Sequence, residues 1–121
     1  MLKPPPVAPL TYRNAMAEIA EAVHVVTTDG PAGRRGLTVT AFTSVSDKPA
    51  TVLVCLNRLN AHNDIFVENG RFAVSTLGAR HQRLAEAFSG KGDLDLDSRF
   101  GLGDWETLET GSPVLADAVA A

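Results

Sequence analysis

The chain has 121 residues, 45% of them hydrophobic and 21% charged, and a formal net charge of −3 at pH 7. These values predict one small domain and exclude a general nucleic-acid-binding role, which needs a positively charged surface. The sequence has no apolar run of about 18 residues that could cross a membrane. It has the prolines Pro4-Pro5-Pro6 where a signal peptide needs an apolar core. Its single cysteine, Cys55, cannot form an internal disulfide, which indicates a reducing cytoplasm.

The first elements in chain order are an arm and a helix. Residues 1–10 hold four of the seven prolines and predict an extended arm before a domain over residues 11–121. Thr11 is the expected N-cap of a helix over residues 12–22. The helical spacing of apolar residues predicts one buried face, formed by Met16, Ile19, Ala20 and Val23.

Three strands are expected next. Residues 23–28 are β-branched and predict a strand, and the turn residues 29–33 predict a hairpin loop after it. Residues 36–46, rich in Thr, Val and Ser, predict a single long strand that ends at Lys48-Pro49. The apolar run over residues 51–56 predicts a strand buried on both faces.

Two helices and one more strand complete the predicted elements. Residues 60–69 predict a helix that turns Ile65 and Phe66 inward, residues 72–77 a strand, and residues 81–89 a second helix. A loop rich in Gly and Asp follows. Short strands joined by hairpins, with helices in the minority, favour a small β-barrel with flanking helices over a doubly wound parallel sheet.

Several familiar motifs are incomplete. Gly101-x-Gly103 is followed by Glu106 where a dinucleotide-binding loop needs a third glycine. Asp93, Asp95 and Asp97 alternate as in a calcium loop, but Ser98 and Asp104 occupy the positions of its invariant Gly and bidentate Glu. We therefore expect a solvated acidic loop. No zinc site is expected either, because the histidines lack ligand spacing: His24, His62 and His81.

Two segments are candidates for ligand binding. The strand over residues 36–46 carries five hydroxyl side chains, which suit either a polar ligand or an ordinary exposed edge. Arg58 follows a buried strand at a predicted helix start, which suits either an anion or a solvated arginine beside an N-cap. Arg34 and Arg35 are expected to be solvated in a turn, although they would also suit a 2′-phosphate.

Taken together, the motifs resemble the flavin reductase family with the FMN-binding split-barrel fold. The resemblance covers residues 12–118 and is strongest to the pyrimidine-utilisation and hydroxyphenylacetate branches, with the corrin reductase of cobalamin synthesis also similar. The blocks that carry it, in chain order, are Tyr12-Arg-Asn-Ala-Met16, Val25-Val-Thr-Thr-Asp-Gly30, Gly36-x-Thr-Val-Thr-Ala-Phe-Thr-Ser-Val-Ser46, Val52-Leu-Val-Cys-Leu-Asn57, Phe72-Ala-Val-Ser-Thr-Leu77, Leu84-Ala-x-x-Phe-Ser-Gly90, Arg99-Phe100, Trp105 and Gly111-x-Pro113.

The resemblance implies a mainly β fold with flanking helices, a six-stranded Greek-key split barrel that forms a homodimer. It implies an enzyme, an NAD(P)H-dependent flavin reductase that binds FMN or FAD and supplies reduced flavin to a partner monooxygenase. NADH or NADPH is the co-substrate, and no metal or acid–base residue is required, because hydride passes directly to the flavin. Two alternatives remain open: a flavin-dependent reductase of another acceptor, such as a corrinoid, and a non-enzymatic flavin-binding module.

The resemblance also implies the site residues. Residues 38–45 would line the flavin, with backbone groups of residues 41–43 at the ring edge. Residues 55–57 would lie beside the ring and ribityl chain. Residues 60–62 would hold the phosphate. Phe88, Ser89 and Phe100 would cover the outer part of the site, against an adenine if FAD is used. The implied set is Thr38, Thr40, Ala41, Phe42, Thr43, Ser44, Val45, Cys55, Leu56, Asn57, Asn60, Ala61, His62, Phe88, Ser89 and Phe100.

The family pattern continues past the last residue of this sequence. A stretch of about fifty residues is expected after Val119, within the ordinary size of a domain. It would supply the last barrel strands and a Gly-x-His segment that contacts the nicotinamide. We therefore expect that the C-terminal strands of the barrel are missing from these 121 residues.

Overall fold

The computed structural model describes residues 3–121. Its helices and strands, numbered in chain order, are α1 Pro9–Ala17, β1 His24–Thr28, β2 Arg35–Val39, β3 Phe42–Asp47, β4 Ala50–Val54, α2 Asp64–Asn69, β5 Ala73–Thr76, α3 Gln82–Phe88, α4 Leu96–Phe100, β6 Trp105–Thr107 and β7 Pro113–Leu115. Single 3-10 turns precede α2 and α3, at Ala61–Asn63 and Ala79–His81. The predicted class, mainly β with flanking helices, is confirmed by these elements.

The helix α1 differs from the prediction. It begins at Pro9, inside the predicted arm, and ends at Ala17, five residues before the predicted end. Proline is favoured in the first turn of a helix because its missing N–H would have no partner there. Ala8 is the N-cap in place of Thr11, and none of the helix residues is buried, so the predicted buried face is wrong.

A three-stranded antiparallel sheet with strand order β2-β1-β5 forms the centre of the structure. The turn at residues 29–33 joins β1 to β2, as predicted. All five residues of β1 are buried, because β2 and β5 pair with its two edges and apolar clusters cover its two faces. Neighbouring side chains of a strand point to opposite faces, so Val25 lies in one cluster and Val26 in the other.

The predicted single strand over residues 36–46 is wrong. The structure breaks it at Thr40-Ala41 into β2, in the central sheet, and β3, which pairs only with β4 in a separate two-stranded sheet. At the break the Phe42 N–H donates to the Thr40 carbonyl over 2.8 Å, a tight turn that redirects the chain. The burial predicted for β4 is also wrong, because four of its five residues are exposed.

The helices α2 and α3 confirm the predicted helices, apart from the 3-10 turns that replace their first residues. Gly70 ends α2 with φ 68°, a left-handed conformation that glycine adopts without strain. The helix α4 was not predicted. Asp95 begins it, because its carboxylate accepts the Ser98 N–H over 2.8 Å.

One apolar cluster joins the helices to the sheet and contains Val25, Leu84, Phe88, Phe100 and Leu115. Trp105 packs against it and donates its indole N–H to the Phe100 carbonyl over 2.7 Å. The rings of Phe88 and Phe100 meet edge to face, with centroids 5.0 Å apart. Phe88 of this cluster lines one of the cavities described below, and Leu84 and Leu115 line another.

The last strands, β6 and β7, were not predicted either. They form an antiparallel pair that packs on the central sheet through buried hydroxyl groups. Ser75 accepts the Leu115 N–H over 3.0 Å, and the Thr27 hydroxyl donates to the Pro113 carbonyl. Over residues 3–121, no helix is both long enough and apolar enough to pass through a membrane.

Candidate functional site

A cavity of about 360 Å³, called here the cationic cavity, opens beside β2. The strand contributes Arg35–Thr38, the end of α3 contributes Phe88 with Ser89 and Gly90, and α4 contributes Arg99. Asn60 and His62, at the 3-10 turn before α2, line the remaining side. The fold therefore brings together five residues that the resemblance implied: Thr38, Asn60, His62, Phe88 and Ser89.

Hydrogen bonds orient the neutral polar groups of the cationic cavity. The Thr38 hydroxyl donates to the Ala85 carbonyl over 2.6 Å, and the Ser89 hydroxyl donates to the Glu86 carbonyl over 2.6 Å. The Asn60 side-chain oxygen accepts the His62 N–H over 3.1 Å. Each group is held in place by one bond, and the Asn60 side-chain amide keeps its N–H donors for a ligand.

Both arginines of the cavity are half-buried and are held through the Nε atom. The Arg35 Nε–H donates to the Asn63 side-chain oxygen over 2.9 Å, and Asn63 is itself anchored to the Asn57 carbonyl over 2.9 Å. The Arg99 Nε–H donates to the Leu94 carbonyl over 2.8 Å. Because neutral acceptors hold the Nε side of each guanidinium, no carboxylate balances either charge there.

The two positive charges lie close enough to affect each other. Burial, and then the charge of Arg99, lower the pKa of the Arg35 guanidinium, although arginine stays protonated in proteins. Among residues 3–121, neither Arg35 nor Arg99 has a carboxylate oxygen within 4.0 Å. The N-cap hydrogen bond from Ser98 engages the Asp95 carboxylate and lowers its pKa, and the charge of Arg99 lowers it further.

Arg34 has a different environment from Arg35. Its guanidinium pairs with the Asp97 carboxylate over 3.0 Å and lies 4.1 Å from the centroid of the Phe100 ring. The prediction of two solvated arginines in a turn is therefore wrong. Arg34 lies directly before β2 and covers the Phe100 ring, whereas Arg35, the first residue of β2, lines the cavity.

A second cavity, of about 240 Å³, begins two residues further along the chain and is called here the apolar cavity. It is lined by Thr40–Thr43, by Leu53 and Cys55 of the β4 exit, and by Glu21. The Cys55 N–H donates to the Ala41 carbonyl over 3.0 Å, which holds these two walls together. Five implied residues meet here: Thr40, Ala41, Phe42, Thr43 and Cys55.

The Phe42 ring closes the inner side of this region. It lies 4.5 Å from the His24 ring, centroid to centroid, and His24 Nδ1 is 3.0 Å from the Thr76 hydroxyl oxygen. Burial lowers the pKa of His24, so this histidine is a neutral core residue at pH 7. The Phe42 N–H and the Ala41 carbonyl are already engaged, by the Thr40 carbonyl and the Cys55 N–H.

Six of the implied residues line neither cavity. Ser44 and Val45 lie further along β3, and Ala61 is an exposed residue of the 3-10 turn. Leu56 packs against the smaller apolar cluster. The other two have structural contacts, Asn57 as the acceptor that anchors Asn63 and Phe100 in the core. Arg58, the arginine singled out from the sequence, is exposed and lines neither cavity.

A third cavity, of about 460 Å³, contains none of the implied residues and is called here the balanced cavity. Arg80 and Arg83 line it together with two acids, Asp104 and Asp117. The Arg80 guanidinium lies 3.1 Å from Asp117 Oδ2. His81 accepts the Gly78 N–H at Nδ1 over 2.9 Å, and its Nε2 lies 3.1 Å from Asp117 Oδ2 in an oblique contact.

Two carboxylates of the acidic loop have partners within the chain. Within residues 3–121, no group of three or more His, Cys, Asp or Glu side chains is close enough to hold a metal ion. Asp95 is the N-cap of α4 and Asp97 pairs with Arg34. Asp93 has φ 52°, a turn conformation that Asp adopts more readily than most residues.

The sequence did not reveal the pairing of Arg35 with Arg99. These residues are far apart in the chain, and α4, which carries Arg99, was not predicted. The one available signal was the place of Arg35 directly before Gly36 in a strand rich in hydroxyl side chains. That signal marks one wall of a site and says nothing about the facing wall.

The comparison with protein families identifies one matching model. The flavin reductase like domain matches residues 16–121. Among curated proteins, the FMN reductase (NADH) RutF 2 of Methylorubrum extorquens strain PA1 is 50% identical over 118 residues, which cover 98% of this chain and 67% of that protein. The FMN reductase (NADH) RutF of Variovorax paradoxus strain S110 is 50% identical over 117 residues, covering 96% and 64%.

Solved structures agree with this match. A candidate flavin reductase of Haemophilus somnus 129PT superposes with a TM-score of 0.86 at 42% identity, covering 93% of this chain and 71% of that chain. The NADH:FAD oxidoreductase SgcE6 of Streptomyces globisporus C-1027 superposes with a TM-score of 0.79 at 31% identity, covering 98% and 72%. The chain spans 67%, 64% and 56% of the length of three curated relatives that it matches.

Proposed function

Because this chain belongs to the flavin reductase-like domain family, we propose that it forms the flavin-binding part of an NADH-dependent FMN reductase. The fold is that of the flavin reductases, with small sheets and flanking helices that are consistent with a split barrel. The relatives at 50% identity are FMN reductases (NADH), which supports FMN and NADH as the ligands.

One observation carries the proposal. The cationic cavity and the apolar cavity are neighbours along one stretch of chain, with Thr38 in the first and Thr40 in the second. FMN has the same division, a phosphate at one end and a flat ring at the other. The phosphate of such a ligand would face the cationic cavity, and its ring would face the apolar cavity. Ligand sites generally combine apolar walls with a few convergent polar groups.

The residues present fit this ligand. At the phosphate end, unpaired guanidinium groups and the amide of Asn60 are donors to phosphate oxygens. At the ring end, Phe42, Leu53 and the backbone of residues 40–43 offer apolar contact and polar edge groups. When bound, the flavin supplies a ring that accepts hydride, and the protein contributes binding, orientation and exclusion of water.

The implied roles of the other residues remain proposals. Ser44, Val45, Leu56, Asn57, Ala61 and Phe100 contact neither cavity, so we expect smaller effects on flavin affinity from their substitution than from that of Thr40 or Arg35. FAD is the alternative flavin, since SgcE6 is an NADH:FAD oxidoreductase. The buried rings of Phe88 and Phe100 leave no exposed aromatic face for an adenine, which favours FMN.

The partners are also proposals. One similar structure is BorF, the flavin reductase component of a bacterial two-component tryptophan halogenase, which supports delivery of reduced flavin to a partner oxygenase. A homodimer is supported by exposed apolar side chains on the β3–β4 hairpin, among them Val45, Val52 and Leu53. The unpaired and exposed Cys55 is consistent with a reducing cytoplasm.

The test is a flavin titration followed by NADH oxidation. We expect purified protein to quench or shift the spectrum of added FMN, and NADH oxidation to depend on that FMN. FMN binding without NADH oxidation would support a flavin-binding module instead. Oxidation that requires a cob(II)alamin acceptor would support the corrinoid alternative, which no observation here favours. A protein that changes no flavin spectrum would contradict the proposal.

A further inference from the structure

We propose that Glu21 weakens the binding of the reduced flavin ring in the apolar cavity relative to that of the oxidised ring. The charge of this residue would thereby favour release of the reduced flavin, the product that a partner oxygenase needs. This inference rests on the proposed function, because it assigns a role to a charged residue at the ring end of the proposed flavin site.

The first argument is the position of Glu21. It lies in the segment between α1 and β1, which hydrogen bonds anchor at both ends. At the start of the segment, the Ile19 N–H donates to the Met16 carbonyl over 3.1 Å. At its end, the Val23 carbonyl accepts the Leu77 N–H over 2.9 Å. This short, anchored segment holds Glu21 in the lining of the apolar cavity.

The second argument is that the charge of Glu21 is unbalanced. Among the described residues that line the apolar cavity, Glu21 alone is charged at pH 7. Over residues 3–121, its carboxylate has no Lys, Arg or His nitrogen within 4.0 Å. The two arginines of the proposed site, Arg35 and Arg99, line the other cavity, at the phosphate end. The ring end of the proposed site therefore carries a negative charge without a neighbouring cation.

The third argument is the charge balance of hydride transfer. NADH gives up a hydride, which is one proton with two electrons, and leaves as NAD⁺. The transfer adds one negative charge to a neutral flavin ring when no second proton follows. Glu21 therefore faces a neutral ring before the transfer and an anionic ring after it. Because like charges that lie close together repel each other, the carboxylate disfavours the reduced ring and has little effect on the oxidised ring.

The affinities for the two flavin states and the reduction potential of the bound flavin are linked. Because binding and reduction form a closed thermodynamic cycle, weaker binding of the reduced state lowers the potential of the bound flavin. For a two-electron couple, a tenfold difference between the two dissociation constants corresponds to about 30 mV. Removal of the Glu21 charge should therefore raise this potential. A residue with only a structural role would change both affinities by the same factor and leave the potential unchanged.

The experiment measures the dissociation constants of oxidised and reduced flavin, the latter under anaerobic conditions with dithionite, and the midpoint potential of the bound flavin. The probes are FMN and riboflavin, which share the ring and ribityl chain and differ only in the phosphate. Glu21→Gln removes the charge at nearly constant size, and Glu21→Asp keeps the charge. Glu18→Gln is the matched control, because Glu18 is an exposed acid at the end of α1 that lines neither cavity of the proposed site. Circular dichroism establishes that each variant is folded.

We expect Glu21→Gln to tighten the binding of reduced FMN about three- to tenfold, the range for one like-charge contact close to water, while oxidised FMN stays within about twofold. The midpoint potential of the bound flavin should rise by about 15–30 mV, which is the same change in other units. Riboflavin should show the same changes, because Glu21 acts on the ring. Glu21→Asp and Glu18→Gln should keep the wild-type ratio of the two dissociation constants within about twofold.

The outcomes separate this inference from the proposed function. If the wild type binds FMN and Glu21→Gln changes the affinities for oxidised and reduced FMN by the same factor, the inference about Glu21 is overturned and the flavin site stands. A change of the ratio with FMN but not with riboflavin would also overturn it, since Glu21 would then act on the phosphate. A wild type that binds flavin in neither state would overturn the proposed function and this inference together.

Discussion

The cationic cavity and the balanced cavity both carry two arginines and a histidine, yet they differ in what surrounds the charges. In the balanced cavity, Asp117 accepts contacts from Arg80 and His81. In the cationic cavity, Arg35 and Arg99 are held by neutral oxygens and have no carboxylate partner among residues 3–121. In the balanced cavity the charged groups pair with one another, whereas charges left unbalanced in a half-buried cavity favour an anionic ligand.

The comparison also shows that size is a poor guide to function here. The balanced cavity is the larger of the two, about 460 Å³ against about 360 Å³. The smaller one contains five of the implied residues, and Thr38 in its lining is two residues from Thr40 in the lining of the apolar cavity. The two cavities share an apolar floor, the cluster of Phe88, Leu84 and Leu115. Substitutions in this floor and at the charged residues of each cavity therefore test the comparison between them.

The largest effect is expected from Phe88→Ala. Phe88 lines the cationic cavity and is 2% exposed, and its ring centroid lies 5.0 Å from that of Phe100 and 5.7 Å from that of Trp105. We expect a loss of about 3–5 kcal/mol in the free energy of unfolding, measured by urea denaturation. Leu108→Ala, at a residue 56% exposed, is the control and should stay within about 0.5 kcal/mol of the wild type. Equal losses would contradict the assigned core.

A smaller effect is expected from alanine at one glycine of each cavity. A Cβ at Gly36 would lie 2.7 Å from Cε1 of the Phe88 ring, whereas one at Gly103 would lie 2.8 Å from a terminal methyl of Leu115. A buried ring cannot bend away as a leucine methyl can, so Gly36→Ala should cost about 1–3 kcal/mol in unfolding free energy and Gly103→Ala less. The reverse order in urea denaturation would show that the floor of the cationic cavity is the more adaptable one.

Asn63→Asp is expected to make the cationic cavity resemble the balanced one. The substitution places a carboxylate at the position whose oxygen now accepts the Arg35 Nε–H over 2.9 Å. We expect FMN affinity to fall about fivefold, equivalent to about 1 kcal/mol for a partly exposed ion pair, and riboflavin affinity to stay the same. An unchanged FMN affinity in the folded variant would argue that charge imbalance does not attract the phosphate.

The smallest effect concerns Asp117 in the balanced cavity. The neighbouring His81 ring and Arg80 guanidinium lower its pKa below the ordinary value of 3.8. A lowered folded-state pKa stabilises the protein above the unfolded pKa, and this contribution is lost as the pH falls through the folded pKa. Asp117→Asn should therefore be less stable than the wild type at neutral pH and equally stable well below pH 3.8, in thermal melts over that range. Glu109→Gln, at an exposed loop residue, should show no such pH-dependent difference.

Local structure was largely predictable. The β1–β2 hairpin, the α2 helix with its Gly70 end and the β5 strand follow from turn chemistry, helix signals and β-branched runs. The errors share one cause, which is that burial and strand ends depend on distant neighbours. The hydroxyl-rich strand breaks at Thr40-Ala41 because its two halves pair with different partners, β1 and β4.

The candidate site shows the same division. Its hydroxyl-rich wall, including Thr38 and Thr40, was visible in the sequence as an unusual density of Thr and Ser around a glycine. The facing wall depends on α4, which begins at Asp95 in a segment that resembled a solvated acidic loop. Arg58 was the arginine favoured from local context, and Arg99 is the one that the fold places in the cavity.

By itself, the sequence determined the class of the chain, its first hairpin, its flavin reductase family and one wall of the candidate site. These depend on local propensities and on ordered blocks of residues along the chain. Only the tertiary structure decided which arginines remain unpaired. Arg34 and Arg35 are adjacent in the sequence, but in the folded chain Arg34 contacts Asp97 and Phe100, whereas Arg35 contacts Asn63 and lines a cavity with Arg99. The effect of a charged side chain depends on the groups that face it. Residues 35 and 99 are far apart in the sequence and line one cavity only in the folded chain.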